Sequence, residues 1–496
     1  MAGHGTLVPV AVADRRDVVT LLVTFAGWCG FAWYVFWQGT AGPALVWSDT
    51  TSYAVVAGHP VWSTGFWAGQ RPPLVPLVLK MVDSTSAFAA LQSMVAVAAW
   101  GLLAFTVGRL VPAGWRRVAA AWVVLAFATS TPIVLWNRSV LSESLSLSIL
   151  AVLVASVMAA ARRITWPRVA VVALAAVAFA TTRDAQVWTV ALLGVIVAIV
   201  ALVRARHVRR SPDGAGGSWR RIGVLALSLL VGAGVTGWIV VHTGRSEQNL
   251  EDVLYVRVFP FPARVAWFAA HGMPEARWID EVASVTVPPS PGAAKVVGSE
   301  QLVGPRFATL EQWMVTRGEN AYLLWLVTHP LYVVTEPLER PERAFNFANG
   351  HLDFYAAVNR VDSPMTAVLW PAWWWMLPMT VVAVGAAAVA GTWRDRGWQA
   401  AMMLGGLGIF TILVAWHGDG EEVARHTVEG LAEVRVCVLV ATTVAVLRVV
   451  PARRSRTRRH GPPVESPPVG PETVGAEAVG AEAVGAEAVG SETVQQ

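Results

Sequence analysis

The sequence predicts an all-α polytopic membrane protein of about ten transmembrane helices, with an extracytoplasmic insertion of mixed or helical structure and a disordered C-terminal tail. Hydrophobic residues make up 55% of the chain and charged residues 14%, at a mean hydropathy of +0.51, far from the balance of a soluble globular protein. Several runs of roughly 20 residues carry no formal charge, enough to cross a hydrocarbon core about 30 Å thick at about 1.5 Å of rise per residue. Arg and Lys recur in alternate loops between those runs, as the positive-inside rule requires.

Taken in order, the first run is Val18 to Trp37, which no small-x-small cleavage site follows, so it reads as a signal anchor. Further spans are expected near 84–107, 118–136, 144–161, 166–182, 185–203, 222–241, 364–391, 397–416 and 427–447. The fifth is charge-free only from Val169 to Thr182, and the tenth carries Glu429, Glu433 and Arg435 in its first turns. Residues 243–363 are long enough for a small domain, with a loop rich in Pro, Gly, Ser and Val at 285–305. Within it, Glu319 to Pro337 is apolar but broken by His329-Pro330, which predicts an interfacial helix. From Gly461 the chain is Pro-rich and then repeats Gly-x-Glu-x-Val, a composition that forms no core. The organisation is therefore 1–242 as a transmembrane core with outer loops that carry the site, 243–363 as the extracytoplasmic domain, 364–450 as C-terminal spans, and 451–496 as a basic and then disordered cytoplasmic tail.

The formal net charge of +5 is an orientation signal. Arg15-Arg16, Arg109/Arg116/Arg117, Arg162/Arg163/Arg168, the run Arg204 to Arg221, Arg394/Arg396 and the tail Arg448 to Arg459 fall on one side of a ten-span plan. That side is cytoplasmic, which puts both termini inside a plasma membrane and the loops at 38–83, 137–143, 183–184, 243–363 and 417–426 outside. The same residues suit anionic membrane lipids, and nucleic acid is set aside. Cys29 and Cys437 each lie inside an expected span, so neither a disulfide framework nor a cysteine metal site follows.

Charged residues in the outer loops are the candidates for chemistry. Loop one reads Trp47-Ser-Asp49-Thr-Thr-Ser-Tyr53 and then Gly69-Gln-Arg71-Pro72-Pro73-Leu74. On its own, Asp49 is equally well explained as a helix cap. A second turn places Arg138 and then Ser142-Glu143 at the head of span four, where a serine followed by an acid is also an ordinary helix start. A third carries Arg183-Asp184, a charged pair able to satisfy itself. The last holds His417, Asp419, Glu421, Glu422, Arg425 and His426. A helix over 421–435 would line up Glu422, His426, Glu429 and Glu433 on one face, with Arg425 four residues before Glu429.

An acid soon after span one, followed by Arg71-Pro72-Pro73-Leu74, resembles the first outer loop of the GT-C superfamily of polytopic glycosyltransferases. Glu143 at the head of span four fits the same plan. The resemblance implies an extracytoplasmic active site, a polyprenyl-phosphate sugar donor and a glycan, lipid or protein acceptor. Two departures stand out: Asp49 is followed by Thr where a second acid is common, and Val75 stands where a Tyr is common. Inverting transfer needs a carboxylate to take the acceptor's proton, worth about 10²–10⁴-fold, and Asp49 is the candidate base with Glu143 beside it. The leaving phosphate needs charge compensation, for which Arg71, Arg138, Arg183, Arg425 and His426 are candidates. Tyr53, Asp419 and Glu422 are expected to line the same cavity. No cofactor is fixed by the sequence; a divalent cation held by Asp49, Glu143 and Asp419 is a second route to compensation. No Rossmann, P-loop, zincin or serine-hydrolase signature sits in a supporting context. The competing readings are a lipid-linked glycan polymerase or ligase, a transporter or flippase of a lipid-linked or anionic solute, and a structural partner in envelope assembly.

Overall fold

The computed structural model describes residues 15–210, 218–243, 245–274, 305–345, 363–420 and 423–449. The expected 285–305 loop up to its last residue, the tail from 451 and Glu421-Glu422 lie outside those residues. Among the described residues the chain is helical, with one isolated bridge, Leu45 to Ser139, and no strand. The described parts of the insertion are accordingly helical.

The first half of the scaffold comprises α1 (Arg15–Thr40), α5 (Thr85–Gly108), α6 (Trp115–Ala128), α8 (Glu143–Arg162), α9 (Trp166–Ala180), α10 (Asp184–Arg210) and α11 (Ser218–His242). Between α1 and α5 lie the short helices α2 (Ser48–Gly58), α3 (Thr64–Trp67) and α4 (Leu74–Met81), and α7 (Thr131–Val134) precedes α8. After α11 come α12 (Arg245–Val253), α13 (Pro262–Ala270), α14 (Ala308–Trp313), α15 (Glu319–Thr328), α16 (Pro330–Glu339), α17 (Pro341–Phe345) and α18 (Pro364–Leu369). The chain closes with α19 (Met376–Ala390), α20 (Arg396–Gly418), α21 (Val423–His426) and α22 (Val428–Val449).

Seven described helices are long and apolar enough to cross a membrane, or eight if a bent pair is counted as one span. The expected spans at 144–161, 185–203, 222–241 and 397–416 each fall within one such helix, those at 84–107 and 427–447 start one residue before theirs, and Val18 to Trp37 lies inside the 26-residue α1. The expected span at 118–136 is the bent pair: α6 ends at Ala128 and the chain turns by 61° into Thr131–Arg138. Thr131-Pro132 supplies the break, because proline cannot donate to the preceding turn. The bend is pinned from outside, since Trp370 Nε1 donates to Ser130 Oγ at 2.8 Å and Thr131 N to Thr366 Oγ1 at 2.8 Å. Helix α9 is only 15 residues long. Within the expected span at 364–391, Trp373–Ala390 is the seventh such helix, a short turn over Trp373–Trp375 running into α19, and Pro371 separates it from α18.

Burial follows contact between helices. Helix α8, near the centre of the packing, has most of its length covered by α5, α9 and α20. Helices α20 and α22 approach most closely at glycines: a Cβ at Gly430 would lie 2.8 Å from the Gly408 carbonyl oxygen. Such small residues let helix backbones meet and gain dispersion contact where lipid removes the hydrophobic drive. A second apolar cluster joins α12 to α16 around Phe268, Trp313, Tyr322 and Trp325. The break at His329-Pro330 is present, with α15 ending at Thr328 and α16 starting at Pro330.

Candidate functional site

The candidate site forms where the C-terminal ends of α1, α9 and α20 meet the N-terminal ends of α8, α10 and α22. Asp49 lies in the first turn of α2, where the positive helix end favours a carboxylate. It does not cap the helix. Trp47 is at the cap position and its N–H donates to Thr50 Oγ1 at 3.0 Å, while the Thr50 hydroxyl donates to the Val140 carbonyl at 2.8 Å. This frees both Asp49 oxygens for arginine.

Arg71 Nη2 donates to Asp49 Oδ1 at 2.6 Å and Arg425 Nη2 to Oδ2 at 2.6 Å. Arg425 Nε also donates to Glu143 Oε1. Arg183 Nη1 lies 3.5 Å from the same Glu143 oxygen and donates to Glu429 Oε1 at 2.8 Å. Three carboxylates, Asp49, Glu143 and Glu429, thus alternate with Arg71, Arg425 and Arg183 in one line. Glu143 and Glu429 are wholly buried, whereas the Asp49 side chain keeps 18% of its surface and Arg71 keeps 29%. The open end of the line is therefore the Asp49–Arg71 end. Burial pushes the Asp49 carboxyl up, but Arg425 and Arg71 outweigh it and hold the group below its ordinary value.

Local structure brings these residues together. Pro73 caps α4, and the Leu74 N–H donates to the Thr181 carbonyl at 3.2 Å, which ties the Arg71 segment to the turn that carries Arg183. Lys80 Nζ donates to the carbonyls of Ala57 and His59, holding the end of α2 against α4. Tyr53, on the buried face of α2, lies under Arg71, whose guanidinium carbon is 5.6 Å from the ring centre. Burial pushes the Tyr53 hydroxyl up, and the charges of Glu143 and Asp49 add to that. Gln92, fully buried on α5, directs Nε2 at the carbonyls of Trp136, Asn137 and Ser139 at 3.1, 2.7 and 2.8 Å. It fixes the loop that delivers Glu143, and only its polar character inside an apolar span marks it in the sequence.

The other candidates lie further out. His426 Nδ1 is 2.5 Å from Asp419 Oδ2, so these two pair with one another beside Arg425. Arg138 has its guanidinium against Gly42, where a Cβ would come within 3.1 Å of Nη1. Glu422 lies outside the described residues. The expected continuous helix over 421–435 is interrupted at Thr427, and Arg425 reaches across the bundle to Asp49 and Glu143 while Glu429 takes Arg183. Among the described residues no three His, Cys, Asp or Glu side chains are grouped to hold a metal ion.

A second charged array adjoins the first. Glu336 on α16 receives Arg257 Nη1 at 3.2 Å, Arg264 Nη1 at 3.0 Å and Trp416 Nε1 at 3.1 Å. Arg257 sits in a five-residue π turn, Leu254–Val258, and stacks on Trp416 with its guanidinium carbon 4.3 Å from the ring centre. Arg257 Nη2 also donates to the carbonyl of Asp419, at 3.2 Å, whose side chain pairs with His426, the chain neighbour of Arg425. Burial pushes the Glu336 carboxyl up, but Arg257, Tyr332 and Arg264 outweigh it and it lies below its ordinary value. Sequence reasoning missed this array, because each member sits alone in an otherwise apolar or mixed stretch. No family model matches the chain, and no curated protein matches it.

Proposed function

We propose that this protein is a membrane glycosyltransferase of the GT-C type, moving a sugar from a polyprenyl-phosphate donor to an envelope glycan, lipid or protein acceptor on the outer face of the plasma membrane. The observation that carries this reading is a partly exposed carboxylate, Asp49, gripped by two arginines at one end of an apolar helix bundle. Arginine presents a planar fork suited to phosphate oxygens. A donor phosphate drawn to Arg71 and Arg425 competes with Asp49 for them, so binding frees the carboxylate. The loss of those two cations raises the affinity of Asp49 for a proton. A group held as a weak base at rest becomes a better one once the donor is seated. Glu143, Arg183 and Glu429 lie deeper and hold Arg425 in place. The acid–arginine line leaves its carboxylates neutralised by guanidinium, so phosphate compensation is assigned to arginine here.

The test is transfer from a polyprenyl-phosphate sugar by the purified protein in proteoliposomes. Asp49→Asn should insert and fold normally and lose transfer by about 10²–10⁴-fold. Full activity in that variant removes Asp49 as the base.

One observation favours a transporter as a second reading. Glu433 on α22 is 1% exposed, its Oε2 meets Thr411 Oγ1 at 3.4 Å, and its Oε1 has no hydrogen-bond partner. Ionisable groups inside a membrane span commonly mark a path for ions or solutes. Movement of solute across sealed vesicles without consumption of a sugar donor would decide for that reading.

A further inference from the structure

At the end of the bundle away from Asp49 lies a crevice of about 780 Å³, within the size range of ligand sites. It opens between α8, α10, α11 and α20. Arg204, at its mouth, lies on the same helix as Asp184 and roughly 30 Å along it, at about 1.5 Å of rise per residue. The walls are aliphatic: Leu193 and Leu229 form a buried back, while Val200 and Val203 on the flank are 41% and 49% exposed. The crevice thus opens sideways, toward where lipid would lie.

Its mouth is basic. Arg162, Arg163, Arg204, His207 and Arg396 line it, and none of its described lining residues is Asp or Glu. The partners that the structure gives these arginines leave their charge in place. Arg162 Nη1 donates to the neutral Arg109 carbonyl at 3.0 Å, and Arg204 and Arg396 line the same mouth from α10 and α20. The nearest carboxylate in sequence, Asp395, is taken up elsewhere: it receives Arg448 Nη2 at 2.8 Å and the backbone N–H groups of Gly397 and Trp398 at 2.7 and 3.2 Å. Like charges gathered at one mouth, with Arg204 partly buried and Arg162, Arg163 and Arg396 exposed, are relieved by an anion.

We propose that this crevice is a site for an anionic phospholipid, with its phosphate on Arg204 and Arg396 and acyl chain along the wall formed by Leu193, Leu225 and Leu229. The aliphatic walls and lateral opening select a lipid over a soluble phosphate, and a mouth lined by four arginines, with no acid among its described lining residues, selects an anionic headgroup over a zwitterionic one. The site is independent of the transferase reading, since it shares no residue with the Asp49 line.

Native mass spectrometry of the full chain in detergent, titrated with phosphatidylglycerol or phosphatidylcholine, tests it. The wild type should bind phosphatidylglycerol at least about tenfold more tightly than phosphatidylcholine, a difference of about 1.4 kcal/mol. The Arg204→Gln/Arg396→Gln double variant should bring that preference within about twofold, whereas Arg394→Gln, an exposed arginine at the same end that does not line the crevice, should keep it. Val200→Trp, which obstructs the flank without touching the charges, should weaken both lipids and serves if the double variant fails to fold. Equal binding of the two lipids by the wild type, an undiminished preference in the double variant, unchanged lipid binding in Val200→Trp, or displacement of phosphatidylglycerol by millimolar inorganic phosphate would each overturn the proposal.

Discussion

The Asp49 line and the Glu336 array are neighbours, with Asp419 and His426 between them, yet they neutralise buried charge in different ways. In the first, guanidinium and carboxylate alternate, so every charge has an opposite on at least one side. In the second, Arg257 and Arg264 converge on a single carboxylate, and the surplus is met by backbone carbonyls and ring faces: Arg264 donates to the Arg257 carbonyl and lies over Tyr332 and Phe261. Under the proposed function the difference bears on which array a donor phosphate would enter: Asp49, between Arg71 and Arg425, is partly exposed, whereas Arg257 and Arg264 lie 4.3 Å from the Trp416 ring and 3.8 Å from the Phe261 ring, closer than Arg71 lies to Tyr53.

That contrast is breakable, and the largest expected effect lies at its hub. Arg425→Ala leaves Asp49 and Glu143 short of a shared cation, and removing one partner of a buried pair costs about 3–5 kcal/mol. Denaturant unfolding in detergent should show that loss, together with absent transfer. A cost below about 1 kcal/mol would mean that the line is not a stability element.

A smaller effect is expected from Glu336→Gln. The two arginines keep their carbonyl and ring partners, and the amide still accepts from Trp416, so the cost should be about 1–3 kcal/mol with transfer retained. Equal losses in Glu336→Gln and Arg425→Ala would erase the distinction between the arrays.

The smallest effect concerns pH. Asp49 is held below its ordinary value of 3.8 in the folded protein, so its pairing stabilises fully above that value and is lost as pH falls through the lower, folded one. The difference in unfolding temperature between wild type and Asp49→Asn should stay level from about pH 8 to pH 5 and shrink only below about pH 4. A difference that already fades near pH 6 would show that the arginines do not hold Asp49 at rest.

Much of this site is legible in the sequence, for a reason specific to membranes. Charge is rare in an apolar chain, so Asp49, Arg71, Glu143, Arg183 and Arg425 stand out at the ends of hydrophobic runs, and run length alone places those ends. Their partners are not legible. Arg425 and Asp49 are 376 residues apart, and Arg183 and Glu429 are 246 apart. Spacing along a helix pointed to Glu429 as the neighbour of Arg425, because within one chain only separations of three and four carry contact information.

By itself, then, the sequence determined the helical class, the positions of most spans and the residues whose charge needed explaining, since composition and run length act locally and additively along the chain. Only the tertiary structure decided that 118–136 bends at Ser130-Thr131, that Gln92 holds the loop before Glu143, that Asp49 lies between two arginines, and that Arg257 and Arg264 share Glu336. Each of those depends on which helix ends meet, a property of packing between distant segments that no local pattern encodes.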